Sequence, residues 1–242
     1  MKKQQYTIRE NRLIAAGTYK LVLSGDSEGQ REFVHLDIPG YYLRRPISVC
    51  EAGKDGITLI YKTVGEGTRK LATLPEGTPL SVLTGLGRGF DPDACRQKAL
   101  LVAGGLGAAP LYYLAQELKA QGKQVTAILG FNKENEIVLR KEFEALCDTV
   151  GLATLDGSVG TKGFVTDAIK ALQPEYDYFY TCGPMVMMKA VCNAVEGSGE
   201  ASLEERMGCG AGFCYGCSIH TRKGTARVCK DGPVFKTEDI LW

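Results

Sequence analysis

The residues with the clearest chemistry in this sequence are four cysteines within 21 residues of one another near the C-terminus, Cys209, Cys214, Cys217 and Cys229. The first three share one loop, Cys209-Gly210-Ala211-Gly212-Phe213-Cys214-Tyr215-Gly216-Cys217, and the fourth follows twelve residues later. Thiolates are the soft ligands of zinc and of iron–sulfur clusters. Three on a C-x4-C-x2-C loop with a distant fourth is the spacing that holds a 2Fe–2S cluster. Such a cluster needs four thiolates converging on two irons and backbone N–H groups aimed at sulfur. Gly208, Gly210, Gly212 and Gly216 let the loop wrap closely enough to supply both. Structural zinc is the competing chemistry, but it favours two separate C-x2–4-C pairs or histidine ligands. His220 lies three residues past Cys217 and reads as a solvated polar residue, because four thiolates already complete a set. The other five cysteines are scattered singly, and an odd total of nine argues against a disulfide framework.

Two further groups of residues are suited to anionic cofactors. In Arg44-Arg45-Pro46-Ile47-Ser48, an arginine fork can grip a pyrophosphate in bidentate fashion, and a serine hydroxyl beside it can meet a ring nitrogen of a flavin. Ile60-Tyr61-Lys62 follows, then Gly65-Glu66-Gly67-Thr68, a turn that opens a short helix and offers backbone N–H groups to phosphate. Farther on, Gly104-Gly105-Leu106-Gly107-Ala108-Ala109-Pro110 follows an apolar strand. Its glycines allow a tight strand-to-helix turn, and Pro110 suits the first helical turn. Thr181-Cys182-Gly183-Pro184-Met185 closes a later strand. Each of these motifs is common in isolation; their order along the chain is what gives them weight.

The elements that must position them fall into three regions. Residues 1–97 carry short β-rich segments (18–23, 33–38, 57–61 and 79–83) separated by glycine turns, the pattern of a small antiparallel barrel or sandwich. From 98 the pattern becomes strand and helix in alternation: strands at 98–103, 125–130, 152–154 and 176–181, helices at 110–121, 138–147, 164–172 and 185–195. That alternation predicts a parallel α/β domain with ligands at the carboxyl ends of its strands. Gly197-Ser198-Gly199 reads as a linker, and 200–242 as the cysteine module. The expected organisation is therefore a flavin-binding β-barrel (1–97), a nucleotide-binding α/β domain (98–199) and a 2Fe–2S module (200–242). A net charge of +1 over 242 residues offers nothing to nucleic acid or to anionic membranes. No apolar run approaches the length needed to span a bilayer, and residues 1–5 lack the apolar core of a secretory signal, so the cytoplasm is the expected compartment.

Taken in this order, the motifs resemble the ferredoxin–NADP reductase family. That family has Arg-x-Tyr-Ser where Arg45-Pro46-Ile47-Ser48 stands, so Ile47 replaces the usual aromatic ring and Tyr61 becomes the candidate, by position, to cover the isoalloxazine. Gly104 to Pro110 matches its Gly-Gly-x-Gly-x-x-Pro motif, and Cys182-Gly183-Pro184 its Cys-Gly-Pro turn, whose cysteine lies near the nicotinamide. The second strand closes on Gly130-Phe131-Asn132-Lys133 with no acidic partner for a ribose 2′-hydroxyl, which leaves NAD and NADP both open. The stretches from Leu203 to Gly210 and from Arg227 to Phe235, with the Arg-Pro-Ile-Ser tetrapeptide, are similar to the electron-transfer subunits of NAD-dependent (type B) dihydroorotate dehydrogenases over essentially the whole chain.

That resemblance implies FAD held by Arg45, Pro46, Ile47, Ser48, Ile60, Tyr61, Lys62, Gly67 and Thr68. It implies NAD at Gly104, Gly105, Gly107, Pro110, Cys182, Gly183 and Pro184, and a cluster on Cys209, Cys214, Cys217 and Cys229. It also implies a partner, a catalytic subunit with FMN in an α/β barrel that oxidises dihydroorotate to orotate in pyrimidine biosynthesis, assembled as a heterotetramer of two plus two. Electrons would run from that FMN through the cluster and FAD to NAD+, with the loop from Gly210 to Tyr215 as docking face. No acid–base pair or activated nucleophile stands outside this relay. The alternatives are an input subunit of a sulfhydrogenase or ferredoxin:NADP reductase complex, and a zinc-stabilised module without activity.

Overall fold

The computed structural model describes residues 1–26 and 33–242. The chain forms two compact units, one of residues 1–89 with 204–220 and 224–233, the other of residues 90–203 with 221–223 and 234–242.

In the first unit, β1 (Lys2–Ala15), β2 (Thr18–Ser24), β3 (Phe33–Leu36), β4 (Arg45–Gly53), β5 (Gly56–Lys62) and β6 (Pro79–Leu86) close an antiparallel barrel in the order β1-β2-β5-β4-β3-β6. The short helix α1 (Glu66–Ala72) lies between β5 and β6 in sequence. Alternate residues point inward, as in β2, where Leu21 and Leu23 are buried between partly exposed neighbours. β1 is the strand that the sequence pattern does not announce. Its opening Lys2-Lys3-Gln4-Gln5 is polar, and only Tyr6 and Ile8 within it are buried. It is held instead by pairing on both sides, with β6 over residues 2–7 and with β2 over residues 7–15, and so closes the barrel.

The second unit is built on a parallel sheet. Its strands are β7 (Lys98–Gly104), β8 (Gln124–Phe131), β9 (Thr149–Thr154), β10 (Thr161–Lys162), β11 (Tyr178–Cys182) and β12 (Gly199–Ser202). After the hairpin of β13 (Ser218–Thr221) and β14 (Gly224–Arg227), β15 (Val234–Lys236) adds an antiparallel edge. The sheet order is β10-β9-β8-β7-β11-β12-β15. Helices α2 (Ala108–Ala120), α3 (Arg140–Leu146), α4 (Val165–Leu172) and α5 (Met185–Ala194) cover it. α2 turns Ala108, Leu111, Ala115 and Leu118 inward at helical spacing. Val165, Ala168 and Ile169 of α4 join Val191 and Val195 over Leu100, Val102, Ile128 and Phe179.

The barrel, the parallel sheet and the C-terminal cysteine region are those expected. The reading of 197–199 as a linker is corrected: Gly199 opens β12, whose residues are all buried and pair in parallel with β11. Gly-Glu-Ala-Ser carries no β-branched or aromatic residue, so nothing in its composition marks a strand. A Cβ on Gly199 would lie 2.5 Å from the Phe179 ring, which explains the glycine by close approach.

Candidate functional site

Within the first unit, the cysteine loop places backbone N–H groups around sulfur. The Cys209 thiol sulfur accepts from the N–H groups of Ala211, Phe213 and Cys214 at 3.4, 3.3 and 3.5 Å. Cys214 Sγ accepts from Gly216 N–H at 3.5 Å, and Cys217 Sγ from Cys229 N–H at 3.4 Å. Burial alone would raise the Cys209 thiol, but the three N–H groups and the Cys214 side chain outweigh it and draw it down to about 6. Cys229 is buried beside Cys217 and is pushed up to about 12. The N–H groups of the loop therefore favour a thiolate at Cys209, while burial beside Cys217 disfavours one at Cys229. The Cys209 side chain interacts with that of Cys214, and Cys229 interacts with Cys217 and more weakly with Cys209. Among the described residues no three potential ligands converge on a single point. None of the nine cysteines forms a disulfide.

The sequence missed what holds this loop. Arg227 forms a forked ion pair with Asp231 (Nε to Oδ2 3.0 Å, Nη2 to Oδ1 3.2 Å) and donates through Nη1 to the Gly212 carbonyl at 3.0 Å. Its guanidinium also lies over the Tyr215 ring, 5.0 Å from the centroid. On the other side, Gly210 is buried with φ +69°, and a Cβ there would lie 2.5 Å from His35 Cε1. Cys214 is exposed, as are Phe213 (76%) and Tyr215 (61%) on either side of it. His220 is exposed too.

The barrel brings the flavin-type residues together selectively. Arg44 is consumed internally, donating to the carbonyls of His35 and Ser81, to Ser81 Oγ and to Asp37. Arg45 opens β4 with its guanidinium over the first turn of α1: a Cβ on Gly67 would lie 2.7 Å from Arg45 Nε. Tyr41 supports it from below, 5.3 Å from ring centroid to guanidinium carbon, and the Leu43 carbonyl accepts from it. Thr68 Oγ1 accepts from the N–H groups of Val64 and Gly65 and donates to the Gly65 carbonyl, so this hydroxyl shapes the turn. Pro46, Ile47 and Ser48 continue β4, each half-buried, while Ile60 is buried in β5 and Lys62 half-buried at its end. Tyr61 is buried, stacked on Tyr19, and donates its hydroxyl to Asn11 at 2.9 Å. Its ring is a core ring rather than one offered at the surface.

In the second unit the chain leaves β7 toward β8, β9 and β10 on one side and returns through β11 on the other, so β7 and β11 flank the topological switch point. The two predicted turns meet there backbone to backbone. A Cβ on Gly107 would lie 2.1 Å from the Cys182 carbonyl oxygen, and one on Gly183 2.9 Å from Gly104 Cα. Pro110 lies in the first turn of α2, and Cys182 is buried at the end of β11. A cavity of about 400 Å³ opens beside these turns, lined in part by Gly105, Phe131, Glu136, Phe164, Pro184 and Val186. Phe164, Val186 and Glu136 line this cavity and are residues that the sequence did not single out. Glu136 lies six residues beyond Gly130, and its carboxylate accepts from Asn132 Nδ2 at 3.0 Å.

Comparison with known proteins assigns these parts. A family model described as the iron-sulfur cluster binding domain of dihydroorotate dehydrogenase B matches residues 204–241, and an oxidoreductase NAD-binding domain matches residues 101–193. The dihydroorotate dehydrogenase B (NAD(+)) electron transfer subunit of Fusobacterium nucleatum is 43% identical over 257 aligned residues, which cover 99% of each chain. The chain belongs to the family of dihydroorotate dehydrogenase B (NAD(+)) electron transfer subunits. The Bacillus cereus (strain Q1) member is 40% identical, with 100% of this chain and 99% of that one covered. Among solved structures, an NADH-dependent reduced ferredoxin-NADP oxidoreductase superposes with a TM-score of 0.89 at 28% identity over 98% of this chain and 90% of that chain. A ferredoxin NADP+ reductase from Neisseria gonorrhoeae shares the fold at a TM-score of 0.67 and 16% identity, covering 80% of this chain and 90% of that one.

As an electron transfer subunit of this family, the chain is part of an NAD-linked oxidoreductase of pyrimidine biosynthesis. Its cysteine loop lies in the matched cluster-binding region, and both glycine turns lie in the matched NAD-binding region. No helix among the described residues is long and apolar enough to cross a membrane.

Proposed function

We propose that this chain carries electrons between a catalytic dihydroorotate-oxidising subunit and NAD+, through a 2Fe–2S cluster and FAD that its own residues hold. The observation that carries the reading is the cradle of three N–H groups on Cys209, paired with Cys214 and followed by a second thiol pair. We assign Cys209 and Cys214 to one iron, Cys217 and Cys229 to the other. When bound, a flavin next to such a cluster would supply the exchange between the electron pair of a hydride and the single electrons of iron.

For FAD, the fit rests on Arg45 facing the first turn of α1, where a cation and the N–H end of a helix both favour a diphosphate. Pro46, Ile47 and Ser48 continue from that arginine along β4, and Ile60, Tyr61 and Lys62 occupy the neighbouring β5. With Tyr61 in the core, the strand backbone rather than that ring is what this segment offers a flavin. For NAD, Gly104, Gly105 and Gly107 bring the N-terminus of α2 to the pyrophosphate, and Pro110 preserves the first turn. Cys182, Gly183 and Pro184 form the turn packed directly against these glycines. Glu136 places a carboxylate in the cavity beside the turns, which favours a nucleotide without a 2′-phosphate.

The catalytic partner is an FMN-containing barrel subunit, with two copies of each chain in the assembly, and the compartment is the cytoplasm. Cys214, between exposed Phe213 and Tyr215, is where that partner docks. The test is functional separation. The purified chain oxidises NADH with an artificial acceptor, and oxidises dihydroorotate only after the catalytic subunit is added. Dihydroorotate turnover by the lone chain overturns the subunit assignment.

A further inference from the structure

His35 is the one buried side chain in the described residues whose polar atoms have no hydrogen-bond partner: it is 0% exposed, and both Nδ1 and Nε2 are unsatisfied. A dry, unpaired imidazole is costly to keep, and native proteins retain such groups where another role requires them. Its surroundings say which role. His35 lies in β3, opposite Pro46 of the flavin-type strand β4, and its carbonyl accepts from Arg44. Its ring tilts against Phe33 at 5.6 Å. The other face meets the cysteine loop: a Cβ on Gly210 would lie 2.5 Å from Cε1, 2.7 Å from Nε2 and 2.8 Å from Nδ1. Gly210 follows Cys209 directly. One residue therefore pairs through its backbone with the strand proposed to carry the flavin and sets its ring against the loop proposed to carry the cluster, both within one compact unit.

We propose that His35 is a positioning residue of the metal centre: its ring seats the Cys209–Gly210 turn against β3, and its N–H is satisfied by sulfur of the assembled cluster. The inference rests on the cluster assignment above. A donor to cluster sulfur stabilises the reduced form, which carries one more negative charge, and so raises the reduction potential. An imidazole carries an N–H in either protonation state and so has a hydrogen to give.

The test uses the full chain with its cluster assembled. Replacing His35 with leucine (H35L) removes the donor, and the ratio of reduced to oxidised cluster at a fixed potential falls about tenfold, equivalent to about 59 mV for one electron. H35N retains a donor and recovers most of that shift. Full iron content with an unchanged midpoint in H35L overturns the proposal. A second measurement needs no substitution at His35. The chain has two histidines, His35 and His220, so 15N-labelled histidine reports on both alone. A 15N hyperfine coupling to the reduced cluster that survives in H220N supports the proposal; its absence, or its loss in H220N, overturns it. If the unaltered chain assembles no 2Fe–2S cluster at all, it is the cluster assignment that fails.

Discussion

Replacing Gly210 with alanine should loosen the cysteine loop by a calculable amount. Gly210 has φ +69°, a conformation that costs an L-residue roughly 1–2 kcal/mol. The new Cβ would also lie 2.5–2.8 Å from three atoms of the His35 ring, closer than carbon atoms approach. That ring is fully buried and cannot swing aside, so overpacking adds about 1–3 kcal/mol. The sum, about 2–5 kcal/mol, corresponds to faster exchange of the loop amides by about thirtyfold or more, up to the limit where the loop is unprotected. The N–H groups of Ala211, Phe213 and Cys214 are the reporters, because each is held by Cys209 sulfur. Hydrogen exchange read by mass spectrometry over 208–217 measures it. The two contributions separate in a cycle with His35→Ala. Removing the ring should recover the overpacking part, a coupling of about 1–3 kcal/mol, and leave the backbone part in place. Exchange in G210A within twofold of the parent, or a cost unchanged in the H35A background, would refute the packing argument.

Cys214→Ser removes the exposed member of the first thiol pair, and iron per chain should fall below half of the parent value by metal analysis; full retention sinks the ligand assignment. Arg45→Ala deletes the cation over α1, and since that site is half-buried the flavin should dissociate roughly tenfold more readily on dialysis. Full occupancy would show that Arg45 does not hold the diphosphate. Asp177 accepts from the N–H groups of Arg96, Gln97 and Lys98 at the start of β7, and despite some burial these contacts hold its carboxyl below the usual range. A depressed folded pKa means that this stabilisation is complete above the unfolded carboxylate pKa and disappears as pH falls through the folded value. Asp177→Ala should therefore lower Tm by about 2–4 °C at pH 7, and by progressively less in strong acid. An equal deficit at every pH would assign the loss to something other than the carboxylate.

How much of this was legible in the sequence depends on the range of the interaction concerned. The alternating strands and helices of the second unit declared themselves because an apolar strand such as Leu100-Leu101-Val102 and a stripe such as Leu111, Ala115 and Leu118 are local patterns. The cysteine spacing and both glycine turns were likewise contained in short windows. β1 and β12 were not legible, because partners far along the chain recruit them: Lys2-Lys3-Gln4-Gln5 pairs with residues 81–84, and Gly-Glu-Ala-Ser pairs with β11 and β15. Tyr61 shows the same limit at a single side chain. Its place one strand after the arginine motif recommended it for the flavin, and only the fold shows that Asn11, fifty residues earlier, accepts from its hydroxyl.

The supports of the cluster loop were hidden for a related reason. An arginine two residues before a cysteine, as Arg227 is before Cys229, carries no information by itself; only the fold shows it reaching Asp231, the Gly212 carbonyl and the Tyr215 ring at once. The candidate ligands are legible in the cysteine spacing, but the loop's conformation is set by residues that contribute no sulfur. An exposed thiol such as Cys214 gains nothing from burial, so its geometry must come from hydrogen bonds and from the clamp on either side. Arg227 is three-point bound, and its removal would free Gly212 and Tyr215 together. His35, from the opposite side, acts by filling the space that Gly210 leaves. A loop held so firmly at both flanks can leave Phe213, Cys214 and Tyr215 in solvent without losing its shape, which is what a centre that passes electrons to another protein requires.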